Sequence, residues 1–350
     1  MKQTLRDFLC PQPKSKIKAG DGQLKGAYNF YTSSQIQSKF YHSATYTQPA
    51  LIFGTGGMAS VHYCNEPFST STDCLVMYGR LGAPLELIYY YLRSNMHLLQ
   101  DGFKGAGLQH ISKDYILNIN INMPAPSLQE QITHQMRLID AMINGKKQQI
   151  LSFDEAVKSR FIELFGVYPL NPKGWETATI RDIVADVRYG SSRPAVDGGK
   201  YPYLRMNNIT YGGELDLTDT KRIDIPDNEL DKCTVRRGDV LFNRTNSKEL
   251  VGKTCVYNRD EMMVLAGFVI RVRVTERVLP EFLSAFLNTD FSKQMLLGMC
   301  KAAIGQANIN AQEMQNIGIY LPPTELQRQF VQFKEQTDKS KLFDEMEVAA

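Results

Sequence analysis

Between Ser127 and Phe165 the apolar positions fall into alternating steps of three and four. Met136, Ile143, Ile150, Val157 and Leu164 recur every seven residues, and Ile132, Ile139 and Phe153 occupy the complementary step. This heptad pattern predicts one long helix packed lengthwise on another helix. The stretch has no proline and one glycine. Pro124 and Pro126 stand at its start, and Gly166, Pro169 and Pro172 follow it, so both ends are marked. At 1.5 Å per residue such a helix runs about 55–60 Å, too long for the interior of a small domain. It is expected to be a spacer between two bodies, residues 1–126 and 166–323.

On either side the pattern is shorter-ranged, and it repeats. In the first body, YNFYTSSQIQ (28–37) is polar and aromatic and reads as a contact surface rather than a core strand. PALIFGTGG (49–57) reads as an apolar strand running into a glycine turn, and PLELIYYYL (84–92) as a helix opened by proline. Residues 105–126 close it with a strand alternating at Ile119 and Ile121. In the second body the same order returns after the turn NPKGW (171–175): strands in 201–210 and 236–247, a helix after Leu279, and a last strand in 305–323. Shifting the chain by 198 places 107–132 on 305–330 without a gap, with identity at Gly107, Ile111, Asn118, Ile119, Ile121, Pro124, Leu128, Gln129 and Gln131. Both copies run into a helix. The second, 324–350, carries Leu326, Phe330 and Phe333 in a less regular seam. The expected fold is α+β: two similar α/β domains joined by long antiparallel, coiled-coil-like helices (127–165 and 324–350) in a pseudo-twofold repeat.

Composition narrows this further. A chain of 350 residues with 43 % hydrophobic content has room for two ordinary domains. No apolar run approaches the roughly 20 residues of a membrane span. The opening Met-Lys-Gln-Thr-Leu lacks the apolar core of a signal peptide, so a cytoplasmic protein without membrane contact is expected. Six cysteines without a C-x-x-C pair read as reduced thiols. His62, Cys64 and Cys74 match no common zinc spacing, and buried thiols are the simpler reading. Net charge is +3, with 11 Lys+Arg against 7 Asp+Glu in 1–126 and 19 of each in 175–323. That balance excludes a strongly basic nucleic-acid binder but not local basic loops.

Catalytic motifs do not hold up against the repeat. Phe53-Gly54-Thr55-Gly56-Gly57 resembles the glycine loop of S-adenosylmethionine-dependent methyltransferases, yet its counterpart Phe242-Asn243-Arg244-Thr245-Asn246 has no glycine. Asp239, Glu249 and Lys253 make a poor Mg²⁺-nuclease set, and Asp239 is more simply a turn residue. Phosphate-loop, zinc-protease and hydrolase signatures are missing from the sequence. What remains is polar loop chemistry beside strand ends, suited to reading DNA. In the second body it comprises Tyr189, Ser191, Ser192 and Arg193; Arg205, Asn207 and Asn208; and Arg244, Thr245, Asn246 and Lys248. In the first it comprises Lys16, Lys18, Tyr31, Thr32, Ser33, Thr55 and Lys104.

Taken together these features resemble the specificity (S) subunit of type I restriction-modification systems. The resemblance rests on Gly174-Trp175-Glu176, Tyr201-Pro-Tyr-Leu-Arg205, Arg237-Gly-Asp-Val-Leu-Phe242 and Val251-Gly-Lys253. It rests also on the Ile-x-Ile exits into Leu128-Gln-Glu-Gln131 and Leu326-Gln-Arg-Gln329. The first body departs from the pattern: it lacks the Gly-Trp opening, and Gln48-Pro49-Ala50 replaces Arg-Gly-Asp. The shorter second helix is what a truncated copy would have. The resemblance implies a non-catalytic subunit with two target-recognition domains, each reading half of a split double-stranded DNA target. The helices would set the unread spacer and dock two methyltransferase (modification) subunits, with restriction (motor and nuclease) subunits joining the larger complex. S-adenosylmethionine, ATP and Mg²⁺ would sit on those partners. Two other readings stay open, the recognition portion of a fused restriction-methylation enzyme and a scaffold that binds proteins.

Overall fold

The computed structural model describes residues 3–105, 107, 109–303 and 306–349. The chain forms two compact units, Met1–Asn144 and Gly145–Ala350. The long helix runs from Pro126 to Phe165, so the unit boundary falls inside it rather than at its start.

In the first unit, strands Leu9–Pro11, Cys74–Gly79, Ala50–Gly54 and Val61–Cys64 lie side by side in that order, all antiparallel. A second sheet orders Lys39–Tyr41, Tyr28–Tyr31 and Phe68–Thr70, the last two parallel. The second unit repeats this plan. Val184–Tyr189, Val269–Val274, Val240–Asn243 and Thr254–Val256 form its antiparallel sheet. Lys221–Ile223, Tyr201–Leu204, Met263–Leu265 and Thr234–Val235 form the other, with Tyr201–Leu204 parallel to Met263–Leu265. A small third sheet joins Thr245–Asn246, Gln306–Asn308 and Lys301–Ala303, and in the first unit the bridges Gly56–His110 and Lys104–His110 stand at the corresponding place.

The repeat extends to single hydrogen bonds. Ser112 and Asn310, 198 apart, cap the short helices Lys113–Leu117 and Ala311–Gln315. These helices precede the exit strands Asn120–Ile121 and Gly318–Leu321, where the sequence pattern had pointed to strand alone. Gln129 Nε2 donates to Pro124 O at 3.0 Å, and Gln327 Nε2 to Pro322 O at 2.8 Å, so each glutamine ties the first turn of its helix back to the exit strand. Each copy of the repeat also carries Thr-(Leu/Ile)-Arg-Asp near its start, at 4–7 and 179–182. The threonine N–H donates to the aspartate at 2.8 Å in both, and Arg6 and Arg181 reach Asn118 and Asn316 at 3.2 and 3.0 Å. Leu5 and Ile180 are fully buried, with N–H groups bonded to Ile119 O and Ile317 O. Of the nine identities above, only the Gly107 match falls on a residue, Gly305, outside those described.

The long helix is held in two different ways. In the first unit, Arg137 pairs with Glu86 at 2.6 Å and Arg93 with Asp140 at 2.8 Å, both against helix Leu85–Ser94. Ile132, Met136 and Ile143 are half-buried there, but Ile139 is 47 % exposed, so the expected continuous apolar seam does not hold at that position. In the second unit, Phe161 and Phe165 are buried against Phe282 and Phe330, with Val157, Leu164 and Leu326 packed on the same core. Ile150 and Phe153 are half-buried. Helix Thr324–Ala349 runs antiparallel to this half: Lys146 pairs with Asp344 and Glu347, Lys341 with Asp154, and Arg160 lies over the Phe333 ring.

Candidate nucleic-acid interface

The antiparallel sheet of the second unit brings three chain segments together at one end. Tyr189 stands opposite Ile270 and Asn243 opposite Val269, so Tyr189, Arg244 and Phe268 leave the sheet at the same edge. The Arg244 guanidinium carbon lies 4.9 Å from the centroid of the Tyr189 ring, a cation–π contact. The Tyr189 hydroxyl accepts from Ala311 N–H at 2.9 Å, which fixes the ring from below. The Arg244 backbone is held on both sides, its N–H by Phe268 O and its carbonyl by Ile309 N–H, each at 2.9 Å. Its buried Nε has no partner among the described residues. The side chain is therefore positioned by an aromatic face, leaving guanidinium donors for an incoming acceptor.

Next to it the chain turns through Gly190, which no other residue could replace: an added Cβ would lie 2.1 Å from Leu265 O. Ser191 is buried, its N–H on Leu265 O and its carbonyl taking Gly267 N–H, both at 2.7 Å. Ser192 and Arg193 are exposed, but Arg193 is engaged by Glu229 at 2.8 Å. Thr245 is buried and bonded to Asn308 at 3.1 Å, Asn246 caps Ser247 N–H at 2.8 Å, and Lys248 is exposed. Strand Tyr201–Leu204 ends beside the same turn, where Ala266 N–H meets Leu204 O at 2.9 Å. Arg205 there pairs with Asp219 at 2.8 Å, and Asn207 is exposed. Asn208 is buried, accepting from Arg205 N–H and donating to the carbonyls of Asp216 and Asp219. Ser191, Asn208 and Thr245 thus shape the loops from inside, Tyr189, Ser192, Asn207 and Lys248 are exposed, and Arg244 is half-buried between them.

Phe268, 49 % exposed next to Arg244, was not anticipated from the sequence. Its one signal is an aromatic residue directly after Gly267, in a run otherwise matching a buried strand.

The first unit presents a different surface on the same frame. Lys16, Lys18 and Lys104 are exposed and Thr32 is half-buried. Ser33 Oγ donates to Asp73 O at 2.6 Å and accepts from Thr55 and Gly56 N–H, while the buried Thr55 also donates to Asp73 O. This network ties the turn at Thr55 and Gly56 to the distant Ser33 and Asp73. Gly54 is packed so tightly that an added Cβ would meet Ser60 Oγ at 2.3 Å, which explains the glycine without a cofactor. Tyr31 corrects the sequence reading. It is 6 % exposed in strand Tyr28–Tyr31, edge-on to Phe68 at 5.7 Å, and burial raises its hydroxyl pKa. It belongs to the core because strand Phe68–Thr70 pairs beside it, a long-range contact invisible in 28–37.

The residues weighed for metal chemistry each have other partners. His62 pairs with Ser34 O at 2.7 Å, Cys64 Sγ with Glu66 O and Cys74 Sγ with Tyr31 O. Burial pushes the Cys74 thiol up to about 11. Asp239 is taken by Arg273 at 2.8 Å, whereas Lys253 donates to Met206 O at 2.9 Å and is held below its usual pKa by burial. No helix among the described residues is long and apolar enough to cross a membrane.

The sequence profile of the type I restriction modification DNA specificity domain matches residues 3–152 and 172–344, once on each copy of the repeat. The chain belongs to this family. A curated relative, the EcoKI specificity subunit of Escherichia coli, is 24 % identical over 234 residues, covering 62 % of this chain and 50 % of its own length. The EcoDI specificity subunit of Escherichia coli is 24 % identical over 156 residues, covering 45 % and 34 %. This specificity-family chain therefore spans half or less of those two curated relatives. Among solved structures, the S subunit of a type I restriction-modification system from M. genitalium matches with a TM-score of 0.60 at 13 % identity, covering 100 % of this chain and 92 % of that one. A chain from a study of complex assembly and conformational transition in the type I system gives 0.57 at 15 % identity, covering 100 % and 93 %. At these identities the structures establish a shared fold of two repeated mixed α/β domains and long helices.

Proposed function

We propose that this chain is the non-catalytic DNA-reading subunit of a type I restriction-modification assembly. Each repeated domain reads one half of a bipartite duplex target. The long helices set the unread spacer and dock two methyltransferase subunits, with restriction subunits joining in the larger complex. S-adenosylmethionine, ATP and Mg²⁺ act on those partners.

One observation carries this reading. After the equivalent strands Ala50–Gly54 and Val240–Asn243, one domain has a small loop tied to Ser33 and Asp73. The other has Arg244 seated on Tyr189 beside an exposed Phe268. A common frame bearing different loops is what two unlike half-sites require, since base edges differ in donors and acceptors while phosphates do not. Mapping methylated sites in cells carrying this chain with its partners tests it. A bipartite motif is expected, with one half changing when the loops at 189–193 and 244–248 are exchanged for those of another family member. A motif that stays the same after the exchange overturns the assignment of those loops.

Two further outcomes follow from named residues. Arg244→Ala is expected to cost about 1–3 kcal/mol of specific binding and relax one position of one half-site, where a bidentate guanine contact is lost. If Arg244 grips a phosphate instead, all sequences weaken alike and the salt slope falls by about one. Unchanged affinity and specificity in a folded complex would remove it from the interface. In the long helix, a four-residue insertion beside Gly145 adds about 6 Å and slightly more than one turn. The preferred spacer should lengthen with both half-sites intact; altered half-sites at the old spacing would count against a ruler.

A further inference from the structure

A cleft of about 530 Å³ in the second unit lies among helices Pro126–Phe165 and Thr324–Ala349, the 210–214 loop, and the helices Pro280–Leu287 and Asp290–Met299. That volume is in the range of small-ligand sites, about 300–1,000 Å³. Two polar atoms of its lining residues are buried without a partner among the described residues, Lys293 Nζ and Asn288 Oδ1. The Asn288 amide has one possible orientation, because its Nδ2 donates to Thr254 O at 2.7 Å and Ser284 O at 2.9 Å, which leaves the oxygen as the orphan.

Lys293 Nζ lies 4.7 Å from the centroid of the Tyr211 ring. Burial, reinforced by the charge of Lys253, lowers its pKa to about 8, so at neutral pH the amine remains mostly protonated. Of the four carboxylates lining the cleft, Asp290 is exposed at the start of helix Asp290–Met299 and acts on the charge of Lys158, and the other three are committed to lysines. Asp154 and Glu214 both pair with Lys341 at 2.9 and 2.8 Å, and Asp338 pairs with Lys334. Beside these groups the wall is aromatic: the Tyr168 ring lies 5.4 Å from both Phe286 and Phe291. Buried donors and acceptors in folded proteins are almost always satisfied, and a charged donor left alone is the costlier case.

We propose that this cleft binds a small aromatic carboxylate bearing an adjacent hydroxyl. The carboxylate pairs with Lys293 Nζ, the hydroxyl donates to Asn288 Oδ1, and the ring packs against the half-buried Tyr168 and Phe291. Neither DNA nor a partner subunit is needed for this site, so it stands or falls independently of the recognition role.

Calorimetric titration of the full chain with 3-phenyllactate, 3-phenylpropionate and 2-phenylethanol tests it. Saturable binding of phenyllactate is expected, weaker binding of phenylpropionate, which lacks the hydroxyl, and at least about tenfold weaker binding of the alcohol, which lacks the charge. Lys293→Met should erase the preference for carboxylate over alcohol while the chain keeps its unfolding temperature; Lys293→Gln serves the same comparison if the methionine variant misfolds. No saturable binding, meaning a cleft that holds water only, overturns the proposal. So does equal binding of acid and alcohol, or a carboxylate preference that survives both substitutions.

Discussion

Asp239→Ala is expected to lower the unfolding free energy by about 3–5 kcal/mol, the range for removing one partner of a buried ion pair. Asp239 is 1 % exposed and takes Arg273 through both carboxylate oxygens, at 2.8 and 3.3 Å. It also accepts Arg236 N–H at 2.9 Å, closing the turn before strand Val240–Asn243. Alanine leaves the Arg273 guanidinium in the fold without its counter-charge. Because Arg273 keeps 23 % of its side chain in solvent, the lower end of that range is expected. The second pair of the same sheet is built alike: Arg271, 3 % exposed, donates to Asp186 at 2.7 Å. Burial works against ionisation of Asp186, but its hydrogen bonds from Arg271 and Arg188 prevail and hold its carboxyl below the usual range. The Asp239–Arg273 pair lies toward the end of the sheet away from Tyr189 and Arg244, so Asp239→Ala should weaken the proposed DNA binding through stability alone. Urea unfolding measures the loss, and Asp239→Ala with Arg273→Met should recover part of it, since an apolar pair strands no charge. A single variant within about 1 kcal/mol of the parent would mean that solvent already compensates Arg273.

Phe330→Ala is expected to cost about 3–5 kcal/mol as well, by a different route. Phe330 is fully buried, with its ring 5.3 Å from Phe161 and 5.8 Å from Phe165, both of which also touch Phe282. Removing it opens a cavity where the long helix, helix Thr324–Ala349 and helix Pro280–Leu287 meet, and aromatic rings on three backbones cannot collapse into it without moving a helix. The pairs farther along offer little compensation: Lys146 with the exposed Glu347 is worth about 0–1 kcal/mol, and Lys146 with the buried Asp344 gives back much of its attraction as desolvation. Protease sensitivity of residues 331–349 should rise in parallel with the loss of stability. Unchanged cleavage there, in a variant destabilised elsewhere, would place the helix lock outside the phenylalanine cluster.

The local pattern was enough to reveal the duplicated plan and the long helix. Helix periodicity and proline boundaries placed Pro126–Phe165 to within a residue, and the gapless identities from Gly107 to Gln131 gave the repeat. These properties are written in neighbouring residues. The Thr-(Leu/Ile)-Arg-Asp motif was equally local but escaped notice, because it recurs at an offset of 175 rather than 198; its partner asparagines lie more than a hundred residues away. Periodicity named Phe330 but passed over Phe161 and Phe165, and it placed Ile139 in a seam where 47 % of it is exposed. A heptad records which face of a helix is apolar, whereas burial depends on which element arrives opposite that face. The candidate interface shows the same division. Sequence chose loops with the right chemistry, yet only tertiary pairing decided which side chains point out. Tyr31, Thr55, Ser191, Asn208 and Thr245 went inward because strands and turns from distant segments supply their hydrogen-bond partners or cover their apolar surface. Arg244 stayed available because what came to meet it, from a strand more than fifty residues earlier, was the face of Tyr189 rather than a carboxylate.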